Sequence, residues 1–167
     1  MDKFRVSVPQ VLFAIMIGGI AMLMGLSTGV NKPEQELDTE EVTKMSLSKY
    51  FDVEEINTIM DAGKRNNLNP EQIVILFAIR KAENGGHGRE FGVMHPRALD
   101  TDLDTQAGWA AATIYKNYYR WENAGKPTDF ITYLGNVYCP VGAENDPSGL
   151  NNHWIGNVKN WVDKIRD

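Results

Sequence analysis

The chain has 167 residues, a formal net charge of −5 and a single cysteine, Cys139. That length holds one compact domain plus an appendage. The acidic balance, without any Lys/Arg-rich run, argues against nucleic acid as a partner. A lone cysteine excludes an intramolecular disulfide and a multi-cysteine zinc site.

Residues 6–30 carry no charge, and their core reads VLFAIMIGGIAMLMGL at 11–26. A membrane-spanning helix needs about 20 mostly apolar residues, so a single N-terminal transmembrane helix is expected over about 8–30, within a 1–30 anchor. Lys3 and Arg5 precede it, while Glu34, Glu36, Asp38, Glu40 and Glu41 follow. The basic flank keeps the N-terminus inside, which sends the C-terminal bulk to the far side of the membrane, periplasmic or outer. The competing reading is a cleaved signal peptide, because the small residues Gly25, Ser27 and Gly29 follow the apolar core. Residues 31–45 (NKPEQELDTEEVTKM) are polar and acidic, and read as a tether to a domain over 46–167. The alternative for their second half is a solvated first helix of that domain.

Asp52 with Glu55 resembles a capping box opening a helix through Ile56, Ile59 and Met60, which should stop near Asn66-Asn67. Asn69 suits a second N-cap, Pro70 the first helical position and Gln72 the box partner. This helix runs through IVILFAIRKAE to Gly85-Gly86, where glycine supplies the left-handed terminus. Residues 86–104, rich in Gly, Asp and Pro, predict an irregular or short β-containing loop. Asp104 or Thr105 caps a long helix through Trp109, Ile114, Tyr118 and Trp121, closed by Gly125-Lys-Pro. A short helix over Asp129 to Tyr138, the loop CPVGAENDPSGLNN and a last helix through Trp154, Val158, Trp161 and Ile165 complete a mainly α domain.

Glu83 is the residue whose placement asks for an explanation. At about 100° per residue it lies within roughly 40° of Gln72, Leu76 and Ile79 on the helical wheel, so it shares the core-directed face. It also sits in the last turn, where the helix dipole disfavours a carboxylate. Burial and dipole together raise its pKa. A carboxylic acid still protonated near neutral pH is what protonation of a glycosidic oxygen requires. The plain alternative is a helix-end glutamate turned to solvent.

The segment AIRKAENGGHGREFGVM (78–94) resembles the catalytic helix and following loop of phage and prophage lysozyme-like peptidoglycan hydrolases. More broadly, it is similar to soluble lytic transglycosylases. The helix AGWAAATIYKNYYRW and the segment YLGNVYCPVGAENDPSGLNNHWIGNV resemble later parts of the phage subfamily, so the likeness covers roughly residues 68 to 162. It implies a lysozyme-like domain with Glu83 as catalytic acid. Gly92-Val93-Met94 would be the Gly-apolar-Met element across the cleft, making Met94 a substrate contact, and Tyr138 the tyrosine that approaches acid and sugar. Asn84 stands where lytic transglycosylases usually have serine after the acid, and His95 where glutamine commonly follows the methionine.

By that resemblance the activity is cleavage of peptidoglycan glycan strands with one glutamate, as a lytic transglycosylase forming an anhydro ring. A hydrolase normally needs a second carboxylate. Glu90, Asp100, Asp102 and Asp104 are its candidates, with Glu90 read first as an ion-pair partner of Arg80 or Arg97 and Asp104 as a helix cap. His87, His95 and His153 lack metal-site spacing, so neither metal nor cofactor is expected. Cys139, beside Pro140, has no activating helix terminus. Most aromatics recur at helical spacing and belong to the core. Trp154, next to the polar loop, is the best platform for a sugar ring, and Asn145 is a second contact there unless it only forms the turn before Pro147. The expected partners are glycan strands and, through the N-terminal helix, a lipid bilayer, in a bacterial envelope or a virion membrane. The main rival expectation is an inactive, membrane-tethered assembly protein, and the second is a hydrolytic muramidase or N-acetylglucosaminidase.

Overall fold

The computed structural model describes residues 39–167 apart from Met94 and Asn145, with side chains from Thr43 onward. The expected anchor, the start of the tether, Met94 and Asn145 lie outside these described residues. Among them there is no strand, and no helix is long and apolar enough to cross a membrane.

Among the described residues six α-helices follow one another: α1 (Thr39–Leu47), α2 (Val53–Arg65), α3 (Pro70–Glu83), α4 (Leu103–Asn123), α5 (Phe130–Tyr138) and α6 (Asn151–Arg166). The domain is mainly α, as its periodicity predicts. The second half of the acidic stretch is helical and joins the fold. Leu47 is fully buried, and the Ser46 hydroxyl donates to the Ile165 carbonyl at 2.5 Å.

Local chemistry sets the helix ends. Asp52 accepts the Glu55 N–H at 2.8 Å and opens α2. The Glu55 side chain does not turn back to complete a box; it pairs with Arg80 at 2.8 Å. Asn69 and Gln72 form the complete reciprocal box before α3, with Pro70 in the first turn, where a missing N–H costs nothing. The long helix starts earlier than expected. Its cap is Asp102, which accepts the Thr105 N–H at 2.9 Å, and hydrogen bonds from Thr105 hold this carboxyl below the usual range. Asp104 lies in the first turn and pairs with Arg65.

Helix α3 is the centre of the fold. Leu76, Phe77, Ala78 and Ile79 are fully buried in succession, which is possible because α2, α4 and α6 all pack around it. Burying each large apolar side chain is worth about 1.5–3 kcal/mol. Gly63 lets α2 come close: a β-carbon there would be 3.1 Å from Ile73 Cγ1. Burial falls off at both ends of this helix, and Glu83 stands half-buried at the C-terminal one.

Candidate active site

The end of α3 differs from the expectation in one respect. Asn84, not glycine, takes the left-handed conformation, with φ 43°. Asparagine tolerates this region better than most residues. Gly85 is needed for space instead, since a β-carbon there would lie 1.8 Å from the Arg89 carbonyl oxygen. The chain therefore folds back sharply after Glu83 and returns past it.

The returning loop is pinned from both sides. Gln106, fully buried in α4, donates to the Gly88 carbonyl at 3.0 Å and the Thr101 hydroxyl at 3.0 Å. Phe91 is fully buried in the core, and its carbonyl accepts the Tyr138 hydroxyl at 2.5 Å. Among its described residues the loop holds no strand, and the regular piece there is a single 3-10 turn, Ala98–Asp100. Gly92, φ 65°, is thereby set against the acid: a methyl group in place of its hydrogen would lie 2.2 Å from Glu83 Oε2. Any other residue here would be strained at this φ and would have to displace the Glu83 carboxyl.

The other carboxyl oxygen, Glu83 Oε1, accepts the Trp154 indole N–H at 2.7 Å. Burial pushes the Glu83 pKa up, and the Trp154 hydrogen bond, which favours the carboxylate, only partly opposes it. The negative end of α3 works in the same direction as burial. Trp154 is 5% exposed, so its edge orients the acid while most of its ring faces protein. Tyr138 stacks on that ring with centroids 5.3 Å apart. Burial, and then the Glu83 charge, pushes the Tyr138 phenol well above its ordinary value. It stays a neutral hydrogen-bond donor, already committed to Phe91.

These groups line a cleft of about 770 Å³ between the returning loop, the end of α5 and the start of α6. Glu83, Tyr138 and Trp154 are thus brought together from three helices. The cleft also contains residues that sequence reasoning did not assign to it. Asp146 accepts the Leu150 and Asn151 N–H groups at 2.8 and 2.9 Å, capping α6 from the preceding loop. Its position before a helix was the available signal. Cys139 donates to Asn151 Oδ1 at 2.8 Å, and burial, then the charges of Glu83 and Asp146, pushes its thiol up to about 11. Such a thiol is no nucleophile near neutral pH.

The other acidic candidates lie elsewhere. Glu90, Asp102 and Asp104 line a separate depression with Glu55 and His87. Glu90 is 7% exposed and does not pair with Arg80, which is taken by Glu55; its Oε1 lies 3.9 Å from His87 Nδ1. Asp100 is exposed in the 3-10 turn. Among the described residues no cluster of three His, Cys, Asp or Glu side chains is placed to hold a metal ion. His95 lies against Trp109, with ring centroids 5.0 Å apart.

No known family model matches this chain, and neither a curated protein nor a solved structure matches it.

Proposed function

We propose that this chain cleaves the glycan strands of peptidoglycan as a lytic transglycosylase with a lysozyme-like catalytic domain, using Glu83 as its one acid and base. The observation that carries the reading is the state of Glu83. It is a carboxyl at a helix end in a cleft, with a raised pKa, one oxygen oriented by Trp154 and the other against Gly92. Asp146, the other carboxylate lining the cleft, has both oxygens engaged by backbone N–H groups.

In this mechanism protonated Glu83 donates to the oxygen linking the muramyl C1 to the next sugar, and the C1–O bond breaks. The resulting Glu83 carboxylate takes the proton from the muramyl C6 hydroxyl as its oxygen bonds to C1. The product carries an internal anhydro ring, and no water is consumed. A raised pKa serves the first half and the regenerated carboxylate the second. Trp154 and Tyr138 act here chiefly as positioning residues, one on the acid and one on the loop that backs it. Hydrolysis is the less favoured reading, because Glu90, Asp102 and Asp104 line a different depression.

With residues 8–30 as anchor, the domain would work beyond the membrane of a bacterial envelope or a virion. Incubation of the full chain with purified cell walls in heavy-oxygen water tests the chemistry. Anhydro-muramyl products without label are expected. Labelled reducing ends would replace transglycosylation by hydrolysis, and no released muropeptide would favour a purely structural assembly protein. Protease added outside intact membranes should digest residues 31–167, and full protection of the domain would overturn the topology.

A further inference from the structure

The cleft holds a cation that the cleavage chemistry does not use. Arg89 lines it together with Glu83, is exposed, and among the described residues its guanidinium makes no hydrogen bond or ion pair. Other arginines are engaged: Arg65 with Asp104, Arg80 with Glu55 and Arg166 with Glu71. The carboxylates of the cleft do not neutralise Arg89. Glu83 is turned to Trp154 and Gly92, and Asp146 to the first N–H groups of α6.

Its backbone, by contrast, is tightly held. The Arg89 N–H donates to the Gly86 carbonyl at 2.9 Å, and its own carbonyl accepts the Gly92 N–H at 3.1 Å. Gly88 on one side and Glu90 and Phe91 on the other are buried. An exposed, unpaired guanidinium on a fixed base, in a residue that lines the cleft, can take an anion from the ligand, as arginine does with carboxylates through paired N–H groups.

We propose that Arg89 binds a carboxylate on the lactyl-peptide arm of the muramyl unit and so makes the enzyme selective for strands bearing that arm. The inference rests on the function proposed above. N-acetylated sugars are themselves uncharged, and the lactyl group and the peptide attached to it are where a glycan strand of this class carries carboxylates.

Binding separates this from the cleavage chemistry. The full chain carrying Glu83→Gln, in which turnover is slowed, would be titrated with three probes by tryptophan fluorescence. These are a peptide-bearing muramyl tetrasaccharide, the same fragment stripped to its free lactyl group, and chitotetraose. Adding Arg89→Gln should weaken carboxylate-bearing fragments by about 10- to 100-fold, the usual worth of a charge-assisted hydrogen bond, and leave chitotetraose unchanged. Arg89→Lys should recover part of the loss. Weakening of the peptide-bearing fragment alone places the carboxylate in the peptide, weakening of the stripped fragment alone places it at the free lactyl group, and weakening of both means that the carboxylate of either arm reaches Arg89; each supports the inference. Equal weakening of all three probes, or of none, overturns it while leaving the proposed function standing. If the Glu83→Gln chain binds no muramyl fragment and the wild-type chain releases none from cell walls, the proposed function falls, and this inference with it.

Discussion

Replacing Glu83 by glutamine removes the acid with little change of shape. The amide oxygen can still accept the Trp154 N–H now held at 2.7 Å, and the side chain still fits against Gly92. What is lost is the proton. General acid catalysis contributes about 10²- to 10⁴-fold, or roughly 3–5 kcal/mol of transition-state stabilisation, so release of soluble muropeptides should fall by at least about 10²-fold. Folding should respond in the opposite sense. A carboxyl whose pKa is raised on folding binds its proton more tightly in the native state, so its stabilising contribution is full below the unfolded value and is lost as pH rises through the folded value. Wild type therefore bears a penalty at neutral and higher pH that Glu83→Gln does not. The variant should be equal or more stable in urea at pH 8, with the difference closing towards pH 4. Wild-type activity should decline on the alkaline side as Glu83 ionises. Near wild-type turnover in Glu83→Gln would refute the assignment of the acid. A variant less stable at pH 8 than at pH 4, relative to wild type, would refute the account of its ionisation.

Three further outcomes follow from the same geometry. Gly92→Ala places a methyl group against Glu83 Oε2 at a φ of 65°, where a side chain costs about 1–2 kcal/mol. Its activity should approach that of Glu83→Gln while the chain still folds, and normal kcat would show that Gly92 does not abut the acid. Trp154→Phe removes the one hydrogen bond that lowers the Glu83 pKa, so the alkaline limb of the pH–rate profile should move up as kcat falls. A limb that stays in place would show that this bond does not tune the acid. Glu90→Gln alters a carboxyl in the neighbouring depression and should cost less than about tenfold in kcat, against a loss of about 10²-fold or more for a residue acting in the general-acid step.

How far the chain explains itself depends on the range of the forces involved. Helix α3 and its start were legible because capping is a matter of three or four residues: Asn69, Pro70 and Gln72 specify the first turn whatever lies around them. The same short-range logic placed Glu83 on a core-directed face at a helix end, and hence raised its pKa in expectation. It failed where two local solutions compete. Asp102 and Asp104 are both plausible caps; Asp102 accepts the Thr105 N–H, while Asp104 lies in the first turn and pairs with Arg65 of α2. Glu55 likewise left its capping partner for Arg80, 25 residues away in sequence.

The surroundings of Glu83 belong wholly to the tertiary structure. Trp154 lies 71 residues further along the chain, and nothing in its spacing shows that its N–H meets the acid rather than its face meeting a sugar. The contact of Gly92 with the carboxylate exists because Phe91 is drawn into the core and Tyr138 holds its carbonyl. Glu90 was a plausible second carboxylate by proximity in sequence, yet the turn at Asn84-Gly85 sends it to the neighbouring depression, while the distant Asp146 enters the cleft. Sequence alone determined which residue is the acid candidate and why its proton is held, since hydrophobic periodicity and helix polarity act within a few turns. Which groups face that acid was decided by packing, because contacts between distant segments exist only once the helices around α3 have closed.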